Sequence, residues 1–241
     1  MNTQLPLNQS TQQSETTRQV ARWLVREFMG IVMMAAILFL AAGRLDWMMG
    51  WALVIITALW VAATALVVIP RNPELLAERV RPKKGTKTWD TIILSIYGLI
   101  TIARYIAAGL DVRFGWTTGI SVPVQVVALI IAVAGYGLVV WATGTNAYFS
   151  QTARIQSERG HKVVSGGPYH FVRHPGYIGV ILFELASAIM LGSWWALVLS
   201  GVSSLLFIVR TALEDRMLHD ELPGYADYAR QTRYRLFPGI W

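Results

Sequence analysis

The sequence predicts an all-α, polytopic membrane helix bundle of about five to six transmembrane helices, and three observations carry that expectation. Only 15% of the 241 residues are charged and 54% are hydrophobic, whereas a soluble domain carries about 25% charged residues. Stretches free of Asp, Glu, Lys and Arg run through 28–43, 47–69, 91–103 (continuing past Arg104 to 110), 115–153, 176–183 and 185–209. At 1.5 Å per residue, about 20 apolar residues cross a hydrocarbon core about 30 Å thick. Finally, the basic residues alternate between the intervening segments instead of spreading evenly.

Taken in order, residues 47–69 reach the spanning length outright and 121–142 form a second clear span. Residues 28–43 and 91–110 reach it with their flanks, and 177–209 suffices for two shortish helices turned at Gly192-Ser193-Trp194-Trp195, where the indoles suit an interface. Lys and Arg number three before the first helix (Arg18, Arg22, Arg26), then one (Arg44) and six (Arg71, Arg79, Arg81, Lys83, Lys84, Lys87). After Arg104, inside a helix, they number one (Arg113), four (Arg154, Arg159, Lys162, Arg173), none and five (Arg210, Arg216, Arg230, Arg233, Arg235). This alternation fits the positive-inside rule with both termini cytoplasmic. It also accounts for the net charge of +7 as an orienting charge beside membrane lipids, so no nucleic-acid partner is expected.

Residues 1–22 are polar at their start, rich in Gln, Thr and Ser, and lack the basic-then-apolar order of a signal peptide; they read as a disordered tail. Residues 23–143 hold the N-terminal transmembrane helices with a basic cytoplasmic loop at 70–90. In that loop Pro70-Arg71-Asn72-Pro73 breaks the helix. Residues 74–80 suit a short interfacial helix, with Leu75, Leu76 and Val80 on one face and Glu74, Glu78, Arg79 and Arg81 around the other. Two ionisable residues lie deeper: Arg104, expected to snorkel or pair across helices, and Glu184. A transport or proton-relay role for them is disfavoured, because the polar residues pool at one side rather than at the midplane.

The chemistry concentrates in residues 144–241. Three of the four histidines lie within 14 residues, among them His170 and His174 in Gly166-Gly167-Pro168-Tyr169-His170-Phe171-Val172-Arg173-His174-Pro175-Gly176-Tyr177. Glycines permit close backbone approach, and Pro175 suits the first turn of the next helix, whose amides favour an anionic group. No metal is expected: breakers keep His170 and His174 off one helical face, and no carboxylate set completes a coordination shell. Singly, Arg173 reads as a headgroup anchor and Tyr169 and Tyr177 as an interfacial belt; together they read as a ligand site at the mouth of the bundle. Further on, Arg210, Glu214 and Asp215 fall at i, i+4 and i+5 of a helix. Arg210 and Glu214 can then pair on one face, either as a surface bridge or at a site. A turn at Leu222-Pro223-Gly224 and the closing Arg233-Tyr234-Arg235-Leu236-Phe237-Pro238 suit a lid. The chain has no Cys, which removes thiolate nucleophiles and Cys-ligated metals.

Gly167-Pro168-Tyr169 with Arg173-His174-Pro175-Gly176-Tyr177-Ile178-Gly179 resembles the GPY…RHPxYxG signature of the isoprenylcysteine carboxyl methyltransferase family. Arg210…Glu214-Asp215 resembles its RxxxEE element, with Asp in place of the usual second Glu. Tyr225…Tyr228…Arg233…Pro238 resembles its closing stretch, and residues 70–90 are like a loop of bacterial members. The resemblance implies a membrane-embedded methyltransferase whose C-terminal half, residues 144–241, binds S-adenosyl-L-methionine on the cytoplasmic side of, by expectation, a bacterial inner membrane. It implies cofactor contacts from Tyr169, Arg173, His174, Pro175, Tyr177, Glu214 and Asp215, with Arg210 and Glu214 catalytic. The expected acceptor is a lipophilic small molecule or a prenylated or lipid substrate entering from the bilayer. A carboxylate acceptor is already ionised and needs only positioning, by Arg210; an amine or hydroxyl would need Glu214 or His174 as base. The alternatives are an NADPH-dependent sterol-type reductase, which shares an RHPxY region but usually has more spans, and a nonenzymatic assembly factor.

Overall fold

In the computed structural model, which describes residues 5–80 and 85–241 with residues 5–12 by backbone alone, the elements form in chain order. They are α1 (Leu5–Ala42), α2 (Met48–Val68), the short α3 (Pro73–Glu78), α4 (Thr88–Phe114), α5 (Val122–Thr145), α6 (Pro175–Met190), α7 (Trp194–Glu221) and α8 (Tyr225–Gln231). No strand occurs among the described residues. Five helices, α1 from Gln13, α2, α4, α5 and α7, are long and apolar enough to cross a membrane. With 16 residues, α6 is about 24 Å long and forms the shorter partner of the last hairpin. Large apolar side chains on the outside of this bundle, such as Leu40 at 77% and Leu66 at 75% exposure, have lipid as their natural solvent. The protein is therefore an integral membrane protein.

Two expectations about the first half are corrected. The polar segment taken as a disordered tail is helical from Leu5 onward, continuous with the apolar part of α1. Gln, Glu and Arg lose little rotamer freedom in a helix, and Trp23, fully buried against Val61, Leu75 and Leu76, anchors this end. Residues 1–4, and Arg81, Lys83 and Lys84 of the basic loop, lie outside the described residues. In α3 the apolar pair Leu75 and Leu76 is buried as expected, but Glu78 and Arg79 are buried too, at 5% each. In a six-residue helix wedged between α1, α2 and the loop after α5, Glu74 stays exposed while the positions from Leu75 to Arg79 are enclosed.

Close packing follows from small residues. An added Cβ at Gly135 of α5 would lie 2.7 Å from the Gly179 carbonyl of α6, and one at Gly179 would lie 2.5 Å from the Gly135 carbonyl. The two backbones therefore touch where neither helix has a side chain, the usual way transmembrane helices approach. Far from the loop-rich end, Asp111 accepts from the Thr117 amide at 2.6 Å and the Ser193 hydroxyl at 2.5 Å, tying two turns together. Inside the bundle Arg104 of α4 and Glu184 of α6 pair at 3.2 Å, each 1% exposed. Ser187 accepts from Arg104 at 2.8 Å and Tyr97 donates to Glu184 at 3.0 Å. Pairing across helices is thus what meets the cost of holding both charges in the membrane.

Candidate active site

The inner ends of α4–α7 and the long connection 146–174 enclose a cavity of about 410 Å³, within the range of small-molecule sites. One end is apolar and reaches back among the helices, with Trp60, Leu94, Val139, Val180 and Phe207 on its wall. The other end is polar, with Tyr148, His161, Tyr169, Arg173, His174, Tyr177, Arg210, Glu214, Tyr225 and Tyr228.

The Gly167–His170 segment forms a 3-10 turn against the end of α5. Gly167 is required there twice over: its φ is +56°, and a Cβ would lie 2.8 Å from Thr145 Oγ1. The following strap is held from the far C-terminus, since the Arg173 amide donates to the Tyr234 carbonyl and the His174 amide to the Arg235 carbonyl, both at 2.9 Å. Pro175 opens α6 at a position that needs no amide hydrogen. The tail thus folds back as the sequence suggests. What it does there is buttress the strap, while α8 supplies Tyr225 and Tyr228 to the cavity wall. Tyr228 donates to the Tyr169 carbonyl at 2.7 Å, locking the 3-10 turn to α8. Burial pushes the Tyr169 phenol up and pushes the Tyr228 phenol up to about 12, so both remain protonated donors at neutral pH.

Asp215 does not reach the cavity wall. Consecutive helical residues point about 100° apart, so when Glu214 faces the cavity Asp215 must face the strap and tail. There it is fully buried and accepts from Arg173 Nε at 2.7 Å, Arg173 Nη2 at 3.0 Å, Arg235 Nε at 2.7 Å and the Tyr225 hydroxyl at 2.8 Å. The His174 Nε2 lies 3.4 Å away. Arg173 lines the cavity, yet its Nη1 donates to the Thr232 and Arg233 carbonyls at 2.9 and 2.7 Å. Burial opposes its charge, but the Asp215 carboxylate holds it firmly protonated. Pro175 is buried behind the wall.

Nor do Arg210 and Glu214 form the expected ion pair. Arg210 Nε donates to Asp90 Oδ1 at 2.7 Å and its Nη2 to the Gln151 carbonyl at 2.8 Å, while the guanidinium lies 5.0 Å from the Tyr177 ring centre. Glu214 instead accepts from the Tyr177 hydroxyl, and the Tyr177 ring stacks on His174 with an 8° interplanar angle. The competitor that won is Asp90, fully buried in the first turn of α4, whose second oxygen accepts from the Ala153 amide at 2.7 Å. Asp90 was not foreseen as part of the site. The available signal was a carboxylate at a helix start, where the dipole favours it, facing an intramembrane arginine with no other carboxylate specified.

The connection 146–174 adds groups that motif reading passed over. Arg154 pairs with Glu78 at 3.1 Å and Glu158 at 2.8 Å. His161 tilts against the Tyr148 ring and its Nδ1 faces the Gln156 amide at 3.3 Å. Burial, with Arg159 and Arg154 nearby, pushes the His161 imidazole down to about 4, so it is neutral and can accept that amide. The three histidines of this stretch therefore have different neighbours: Tyr148 for His161, Phe171 for His170, and Tyr177 with Asp215 for His174.

Residues 126–220 match the family model of the isoprenylcysteine carboxyl methyltransferase (ICMT) family. Two rice proteins, from Oryza sativa subsp. indica and subsp. japonica, each named as a probable protein-S-isoprenylcysteine O-methyltransferase, are 25% identical to the chain over 138 residues. The match spans 55% of the chain and 70% of each relative. A solved structure of the eukaryotic intramembrane Ras methyltransferase ICMT aligns over 95% of this chain and 94% of that one, with 17% identity and a TM-score of 0.45.

Proposed function

We propose, on the premise that the chain belongs to the isoprenylcysteine carboxyl methyltransferase family through residues 126–220, that this membrane methyltransferase uses S-adenosyl-L-methionine to methylate the carboxylate of a lipophilic, isoprenylcysteine-like acceptor. The observation that carries this reading is the two-ended cavity. Its polar end is built by the matched region together with α8, and its apolar end lies among membrane-spanning helices, so a polar donor and a lipophilic acceptor can share one enclosure. The proposed setting is a bacterial inner membrane, with both termini and the cavity on the cytoplasmic side and the acceptor arriving from the bilayer.

The residues present suit the donor. Its ammonium needs an acceptor, and Glu214 is a wall carboxylate that accepts from the Tyr177 hydroxyl; its adenine needs flat apolar faces, and Tyr169, His174, Tyr225 and Tyr228 provide them. When bound, the donor supplies an electrophilic sulfonium methyl group. The chain's own work is positional. Tyr169, His174, Tyr177 and Glu214 hold the donor, while Arg173, on the wall but tied to Asp215 and the tail, and Pro175 and Asp215 behind the wall fix the strap. Arg210, its charge met by Asp90, packs on Tyr177 and shapes the transfer point with Glu214. An acceptor carboxylate is ionised at neutral pH, so no proton has to be moved before transfer, and rate depends on alignment and exclusion of water.

Titration of the purified protein in detergent with S-adenosylhomocysteine and with NADPH tests this reading. Binding of S-adenosylhomocysteine alone is expected. Binding of NADPH alone would sink the methyltransferase assignment in favour of a reductase, and binding of neither would favour an assembly role. Incubating labelled-methyl donor with native membrane extract then identifies the acceptor from the labelled product.

A further inference from the structure

Four arginines line the cavity: Arg79, Arg154, Arg173 and Arg210. Three are neutralised within the protein, Arg154 by Glu78 and Glu158, Arg173 by Asp215 and Arg210 by Asp90. Arg79 is not. All fourteen carboxylate side chains of the sequence belong to the described residues, and none forms an ion pair with it. The two acids nearest in charge, Glu27 and Glu78, are engaged by Arg26 at 2.5 Å and Arg154 at 3.1 Å.

A buried guanidinium without a counter-charge is costly, and such groups are paired or serve a ligand. Arg79 is 5% exposed, and its Nε has no hydrogen-bond partner. Its side chain donates from Nη2 to the Phe149 carbonyl at a long 3.4 Å. Burial pushes the Arg79 guanidinium down to about 10, so it stays charged at neutral pH and would gain from an anion.

The position of Arg79 fits the reacting group. Arg210 hangs from the carbonyl of Gln151 and Arg79 from that of Phe149. Carbonyls two residues apart lie at most about 7 Å from each other along the chain. The Phe149 ring also touches the start of α6, because a Cβ on Gly176 would lie 2.6 Å from it. Arg79 thus lines the same cavity as Arg210, held by the same stretch of the 146–174 connection. It also lies outside residues 126–220, just after α3, and with Trp60 of α2 it is what the chain before α4 contributes to the cavity lining.

We infer that Arg79 is the receptor for the acceptor's carboxylate, binding it at the membrane surface while the apolar end of the cavity takes the lipid tail. This deepens the proposed function and rests on it. A planar guanidinium with free donors matches a carboxylate in two-point geometry, and it would hold one acceptor oxygen toward the methyl group.

The test compares N-acetyl-S-farnesylcysteine with its carboxamide, which has nearly the same shape and no charge, in wild type, Arg79→Met and Arg79→Lys. Wild type is expected to bind the acid about ten- to a hundredfold more tightly than the amide, as for a hydrogen bond to a charged group. Arg79→Met should bring that ratio near one while leaving S-adenosylhomocysteine affinity within about twofold, and Arg79→Lys should keep part of the preference by charge alone. Loss of S-adenosylhomocysteine affinity with the acid preference intact would overturn the inference and move Arg79 to the donor. An unchanged ratio in Arg79→Met, or no preference in wild type, would overturn it as well. A wild-type protein that binds no S-adenosylhomocysteine would instead count against the methyltransferase reading. S-Adenosylhomocysteine binding by Arg79→Met also reports that the variant is folded, and Arg79→Lys, which keeps length and charge, covers the case in which Met is not tolerated.

Discussion

At the scale of single residues, the division of labour between Glu214 and Asp215 follows from one peptide unit. The RxxxED spacing makes both acids look like ligand contacts, but a helix turns them about 100° apart, and only Glu214 is on the cavity wall. Asp215 is the joint at which strap, tail and α8 meet. Asp215→Ala would leave Arg173 and Tyr225 buried without their acceptor, and breaking a buried pair this way costs about 3–5 kcal/mol. A lower thermal midpoint, together with faster proteolysis at the 232–241 tail, is expected. A variant with an unchanged tail would show that the backbone bonds from Arg173 and His174 suffice. The Arg210–Asp90 pair was illegible for a different reason, since 120 residues separate the partners and no periodicity relates α4 to α7. His161 adds a pH dependence. Its ring takes a proton near 6.5 when unfolded but only near about 4 in the fold. Between those values the unfolded state binds more protons, so this contribution is complete above pH 6.5 and is lost as pH falls toward 4. Hydrogen-exchange protection of 156–161 should weaken over that interval, and His161→Gln should flatten the dependence.

At the scale of elements, the spans were readable because lipid imposes length and composition on any helix that crosses it. The expected segments at 47–69 and 121–142 correspond to α2 and α5, and the turn expected at Gly192-Ser193 is the one that separates α6 from α7, with the Ser193 hydroxyl accepting from the Ala196 amide at 3.0 Å. Faces were less readable. Over residues 74–80 a helical wheel assigns Arg79 to solvent, and tertiary packing at the end of α3 buries it, because six residues are too few for a stripe to dominate over neighbours on several sides. The N-terminal residues after Leu5 went unread as helix because polar composition is shared by disordered chains and exposed helices. Close packing leaves a sharper trace, in that Gly135 and Gly179 are small where α5 and α6 touch. Gly179→Val would drive the helices apart, because its Cβ alone would lie 2.5 Å from the Gly135 carbonyl and 2.7 Å from Val139; overpacking of this kind costs about 1–3 kcal/mol. Because α5 and α6 both line the cavity, S-adenosylhomocysteine affinity should fall together with thermal stability. Gly137→Ala, facing open space on α5 two residues after Gly135, should leave both unchanged.

At the scale of the whole molecule, the charges and the cavity share one side of the bundle. α2 and α5 end, and α4 and α6 begin, at the loop-rich face where Arg79, Arg154, Arg173 and Arg210 gather. An even number of crossings, with α6 as the short sixth helix, returns the C-terminus to the side of the N-terminus. If the basic segments face the cytoplasm, the donor reaches the polar end from that compartment and the acceptor reaches the apolar end from the bilayer, so neither has to cross the membrane. This orientation can be tested without altering a native thiol, because the sequence contains no cysteine. Single cysteines replacing exposed residues on the two faces, Lys162 and Arg233 on one and Arg44 and Trp116 on the other, should separate by side. In sealed right-side-out vesicles an impermeant maleimide should label the Arg44→Cys and Trp116→Cys variants and spare Lys162→Cys and Arg233→Cys until the membrane is opened. The reverse pattern would invert the protein and put the proposed donor end of the cavity on the opposite side of the membrane. Labelling of Lys162→Cys and Arg233→Cys from opposite sides would mean that α6 and α7 do not form a crossing hairpin, and the tail could not then close behind the strap.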